Sequence, residues 1–167
     1  MSRFNTKTLV TMALLTALEI VLSRFLSIQT QVIKISFAFV PVVLAAVLLG
    51  PLEAGVVAAL SDVLGAVLFP TGPFFPGFTL TAFLMGVVYG LFLHKRASFL
   101  YVLLAVAIHQ LLLSLLLNSL WISILYGTPY GPLLLTRLPQ CALLAAVQLL
   151  VIPLLLHLAP RLKGGRP

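Results

Sequence analysis

An all-α integral membrane protein, built as a bundle of six transmembrane helices, is predicted by three features of this sequence. Of its 167 residues, 62% are hydrophobic and 8% charged, with a mean hydropathy of +1.22; soluble domains are about 45–50% apolar and about 25% charged. A soluble chain of this size would lack the polar side chains to cover its surface, a requirement that lipid removes. The apolar residues fall in runs near the ~20 residues that cross a hydrocarbon core roughly 30 Å thick. Gly/Pro-rich breaks separate those runs. The length admits six spans with short connections and no soluble domain, so residues 1–167 are expected to form one domain.

The first run covers about residues 8–26 and the second about 35–49, ended by Gly50-Pro51. The third covers about 52–69, the fourth about 78–93, the fifth about 99–125 and the sixth about 133–158. Between the third and fourth, Pro70-Thr-Gly-Pro-Phe-Phe-Pro-Gly77 holds three prolines and two glycines in eight residues and cannot be regular helix. The stretch Tyr126-Gly-Thr-Pro-Tyr-Gly-Pro132 breaks the chain in the same way. Arg3 and Lys7 ahead of an apolar run also fit a signal peptide. No small-x-small cleavage site follows, however, and Glu19 and Arg24 interrupt the run, which reads as the first span.

Basic residues set the expected orientation. With six spans, Arg3, Lys7, Lys95, Arg96, Arg161, Lys163 and Arg166 share one side, and only Arg24, Lys34 and Arg137 lie toward the other. The excess of Lys and Arg on one side puts both termini in the cytoplasm. The formal net charge of +7 is thus spent on topology, and its scatter along span ends gives no nucleic-acid-binding face.

The three exceptions are candidate site residues. Long basic side chains snorkel to headgroups at little cost, but three cations at a similar depth also suit an anionic ligand. Asp62, a carboxylate inside a span, reads as an ion partner for Arg24 or Arg137, or as an acceptor for an amino-pyrimidine edge. Asn118 and Trp121 near the outer end of span five, Phe74 and Phe75 in the proline-rich loop, and Gln29, Thr30 and Gln31 in the first outer loop would complete an outward-facing pocket. For Trp121 an interfacial belt is the competing reading. Glu19 has no partner that spacing identifies; Glu53 reads as a helix-start acid beside Gly50-Pro51.

Chemistry of other kinds finds no support. There is no Walker A sequence. His94, His109 and His157 lie on different spans without metal-ligand spacing, and mid-span His109 reads as a core hydrogen-bonding residue. No clustered acid, base or metal set marks an enzyme, and no cofactor is implied. Cys141, the single cysteine, reads as a packing residue. Ala13/Ala17, Gly55/Ala59 and Gly86/Gly90 repeat the small-x-x-x-small spacing that lets helices approach closely in lipid.

Several segments, in order and at their spacings, resemble a known family. They are Ala13-Leu-Leu-Thr-Ala17, Val21-Leu-Ser-Arg-Phe-Leu-Ser-Ile28, Ile35-Ser-Phe-Ala-Phe-Val-Pro41 and Leu60-Ser-Asp-Val-Leu-Gly-Ala66, followed by Leu68-Phe-Pro-Thr-Gly72 and Phe75-Pro-Gly-Phe-Thr-Leu80. Asn118-Ser-Leu-Trp-Ile-Ser-Ile-Leu-Tyr-Gly127 and Thr136-Arg-Leu-Pro-Gln140 complete the set. The sequence resembles the substrate-binding S components of energy-coupling-factor (ECF) vitamin transporters, and among them the folate-specific branch. The resemblance implies a multi-pass protein of the bacterial cell membrane that captures a vitamin from outside. It further implies a membrane coupling subunit and two cytoplasmic ATPase subunits as partners. Ala13 and Ala17 match the alanine pair that contacts the coupling subunit in this family. Arg24, Lys34, Asp62, Phe74, Asn118, Trp121 and Arg137 are the expected substrate-binding residues. Folate, with flat rings and a glutamate, suits aromatic walls and basic clamps; three outer cations suit neutral vitamins less and cationic thiamin not at all. An S component for riboflavin or biotin is the alternative within transport, and a membrane enzyme or a non-transporting assembly subunit the alternative outside it. No inverted repeat or proton relay supports a self-driven secondary transporter.

Overall fold

The computed structural model describes residues 5–29, 34–94 and 98–162. Thr30 and Gln31, together with Arg3, Lys95, Arg96, Lys163 and Arg166, on which the expected orientation rests, lie outside the described residues. Helix α1 spans Thr6–Arg24; strands β1 (Ser27–Gln29) and β2 (Lys34–Ser36) follow, then α2 (Phe39–Leu48), α3 (Pro51–Leu68) and α4 (Pro76–Leu93). Helix α5 runs Phe99–Tyr126 and α6 Tyr130–Leu162.

Five of these helices, α1 and α3 to α6, are long and apolar enough to cross a membrane. The second segment departs from expectation. Residues 35–36 pair in an antiparallel hairpin, Ser27 opposite Ser36 and Gln29 opposite Lys34, and do not extend α2. Helix α2 keeps only 10 residues, about 15 Å of rise, too short to cross alone. Among the described residues the bundle is therefore all-helical apart from this hairpin.

Gly and Pro act where the sequence places them. Gly50, with φ 131°, turns the chain between α2 and α3, and Pro51 opens α3. Gly127 ends α5 in the left-handed conformation, φ 64°, a common helix stop. Gly86 and Gly90 let α4 lie against α3: a Cβ on Gly86 would overlap the Ala54 carbonyl, and one on Gly90 the Pro51 backbone. This small-residue pair packs inside the bundle. Ala13 and Ala17, by contrast, are exposed on α1.

The apolar core gathers α2, α3, α4, α5 and α6 around Val42, Val43, Val57, Tyr89, Val102 and Ile152. Leu14, Leu91, Leu135 and Leu150 point outward and are at least two-thirds exposed, as on a lipid-facing surface. The middle of α5, Ile108–Leu117, is π-helical. Such wide turns are rare and frequent at functional sites. Here the wide turn sends the consecutive residues His109 and Gln110 into one cavity.

Candidate functional site

A cavity of about 310 Å³ opens between the C-terminal halves of α1, α3 and α5 and the N-terminal halves of α4 and α6, beneath the hairpin and the 69–75 loop. That is within the ordinary range for small-molecule sites. Six of the seven expected substrate-binding residues line it: Arg24, Lys34, Asp62, Phe74, Asn118 and Arg137. Trp121 stands one layer back. Its indole N–H donates to Thr81 Oγ1 at 3.0 Å and its ring packs 5.6 Å from that of Phe75, so it braces two lining residues.

Arg24, the last residue of α1, lies across Gly65 of α3, where a Cβ would come within 2.8 Å of Arg24 Nε. Its Nη1 donates to Thr71 Oγ1 at 2.6 Å, tying α1 to the proline-rich loop. Asp62 Oδ2 accepts from Thr79 Oγ1 at 2.7 Å, joining α3 to α4. Among the described residues, no hydrogen bond joins Asp62 to Arg24 or Arg137, so the ion-pair expectation gives way to a carboxylate braced by a hydroxyl. Lys34 is anchored through its backbone, where its carbonyl accepts from Gln140 Nε2 at 2.7 Å. Lys34 lies in the hairpin, outside the spanning helices. Burial and then the Arg24 guanidinium push its ammonium below the ordinary lysine range, while Glu19 and Asp62 pull it back.

Glu19, 8% exposed, lines the same cavity as Lys34, and among the described residues its Oε2 has no hydrogen-bond partner. Sequence offered no signal for this proximity, because the hairpin brings Lys34 to the cavity that Glu19 lines. The other wall is polar and unsatisfied. Among the described residues, Arg137, 4% exposed, has no partner for Nε or Nη1; Asn118 Oδ1, Gln140 Oε1 and both amide atoms of Gln110 are likewise buried without partners. Unsatisfied buried groups cost about 1–3 kcal/mol each, so a wall of them is arranged for something to bind.

At the far end lie His109, Gln110 and Gln148. Tyr89, thirteen residues beyond the Pro76 start of α4, is about 20 Å down that helix. His109 makes the core hydrogen bond expected of it, with Nδ1 2.8 Å from the Tyr89 hydroxyl. That it also lines the cavity, with Gln110, was missed; three polar residues at 109, 110 and 114 between apolar runs in the middle of the span were the available signal. Among the described residues, no three of His, Cys, Asp and Glu cluster to hold a metal ion.

Apolar helices enclosing a charged and polar cavity define a membrane-embedded small-molecule-binding protein. The chain belongs to the family described as the substrate-specific component of ECF transporters, whose pattern residues 7–156 match. It is 48% identical over 142 residues to the folate transporter FolT of Clostridium novyi, covering 84% of this chain and 83% of that one. It is also 40% identical over 130 residues to FolT of Leuconostoc mesenteroides, covering 77% and 70%. A crystal structure of FolT bound with folic acid superimposes with a TM-score of 0.84 at 36% identity, over 89% of this chain and 91% of that one.

Proposed function

We propose that this chain is the folate-capturing S component of an ECF-type transporter. The observation that carries the reading is the polarity of one continuous cavity. Arg24 and Lys34 stand at the mouth, Arg137 partway along α6, and the Gln110 and Gln148 amides with His109 at the floor. Folate has the same polarity, a dianionic glutamate at one end and a neutral pterin at the other. In this pose Arg24 and Lys34 take the carboxylates through charge-assisted hydrogen bonds, Phe74 closes over the aminobenzoyl ring, and the pterin fills the floor.

The rest of the reading follows from family membership and from topology. The cavity faces outward and both termini lie in the cytoplasm of a bacterial cell. Uptake is driven by two cytoplasmic ATPase subunits through a membrane coupling subunit. The exposed Ala13 and Ala17 fit a helix–helix contact with that subunit, since small side chains let backbones approach closely.

The test is calorimetric titration of the purified chain with folate, riboflavin, biotin and thiamin. Saturable binding of folate alone is expected. Folded protein that ignores folate, or prefers one of the other vitamins, would sink the assignment.

A further inference from the structure

The floor of the cavity carries a fixed hydrogen-bond pattern. Tyr89 on α4 is fully buried and Gln148 on α6 is 2% exposed. The Tyr89 hydroxyl lies 3.0 Å from Gln148 Oε1 and 2.8 Å from His109 Nδ1, and Nδ1 lies 3.4 Å from the same amide oxygen. A hydroxyl has one proton, and an amide oxygen only accepts. The Tyr89 proton therefore goes to Gln148, and Nδ1 carries the hydrogen that the Tyr89 oxygen receives. The opposite tautomer would leave Gln148 Oε1 facing a lone pair of the hydroxyl in a dry interior. His109 Nε2, on the other edge of the ring, is left without a hydrogen and can only accept.

Gln110, the next residue, is 2% exposed and lines the same floor, with both Oε1 and Nε2 unpartnered. The two side chains together offer two acceptors, His109 Nε2 and Gln110 Oε1, and one donor group, the Gln110 Nε2 amide NH2. An exocyclic amino group beside a bare ring nitrogen offers the complement, two donors and one acceptor. A pyrimidinedione edge, as in a flavin, offers two carbonyls around one N–H and leaves an acceptor of the floor facing an oxygen.

We propose that His109 and Gln110 together read the exocyclic amino group and adjacent ring nitrogen of the ligand's heterocycle, and that Tyr89 is the positioning residue holding His109 in the accepting tautomer. This rests on the folate reading, whose pterin carries such an amino group, and deepens it to a specificity rule: the site selects amino-substituted azines over diones.

Two measurements test it. The first needs no ligand: long-range nitrogen–proton NMR of the histidine rings of the intact chain, with His109 assigned by loss of its signals in His109→Gln. An Nδ1–H tautomer is expected for His109, with Tyr89→Phe shifting the ring toward a mixture. An Nε2–H tautomer in the unsubstituted chain overturns the proposal. The second is calorimetry with folic acid and its 2-desamino analogue. The chain should bind folic acid at least about tenfold more tightly. His109→Leu should shrink that ratio, and Tyr89→Phe should shrink it less. A ratio near one, or a ratio unchanged in His109→Leu, overturns it. If the chain binds neither compound, the folate reading fails and the amino-group assignment fails with it, while the NMR still decides the tautomer.

Discussion

Arg137→Met is expected to stabilise the empty protein while weakening its grip on folate, two effects of opposite sign from one side chain. Arg137 is 4% exposed, and among the described residues Nε and Nη1 have no partner. Methionine keeps much of the length and removes the charge. Each unsatisfied buried polar group costs about 1–3 kcal/mol, so removing two should stabilise the empty protein by roughly 2 kcal/mol after allowance for imperfect repacking. Breaking one charge-assisted hydrogen bond to a ligand loses about 1.5–3 kcal/mol, or about 10- to 150-fold in affinity. Thermal unfolding with and without folate, read beside calorimetric titration, measures both. The substituted protein should melt higher when empty and gain less from folate. A lower melting temperature when empty, with affinity unchanged, would refute the reasoning, because Arg137 would then be a structural residue whose partners lie within the fold.

Gly65→Ala puts a methyl group within 2.8 Å of Arg24 Nε, displacing the guanidinium from Thr71. Folate affinity measured by titration should fall by about tenfold, with less loss for a pterin lacking the glutamate. Lys34 titrates below the ordinary lysine value of about 10.4 in the empty cavity, and a bound carboxylate restores it. Between those two values affinity should fall as pH rises and binding should take up a proton, detected by calorimetry in buffers of different ionisation enthalpy; Lys34→Met should remove the uptake. Replacing Ala13 and Ala17 together with Trp should leave folate binding by the isolated chain within about twofold, since both are exposed, a surface change of little energetic weight. Folate uptake by cells carrying the whole transporter should be abolished. Loss of binding would instead mean that the pair supports the cavity.

The membrane class, the long helices and their breaks are local properties, and the sequence alone determined them. Hydropathy is decided within a window of about 20 residues, and Pro or Gly ends a helix whatever surrounds it. Thus the fifth span, read as about 99–125, runs Phe99–Tyr126, and the third, read as about 52–69, runs Pro51–Leu68. Segment two failed where hydropathy was the wrong signal. Ile35-Ser-Phe is apolar enough for a span, yet Ile35 and Ser36 pair with β1, a backbone pairing that hydropathy does not read. The site divides the same way. A cation or carboxylate out of place in an apolar span is visible in sequence, which is why Arg24, Lys34, Asp62 and Arg137 stood out. Tertiary structure alone decided which groups meet: Asp62 with Thr79 across 17 positions, Arg24 with Thr71 across 47, and Tyr89 with Gln148 across 59. In a helical bundle, polar partners come from different helices and their pairing is set by how those helices rotate and cross, so the residues reveal that partners are needed and only the packing decides which ones they are.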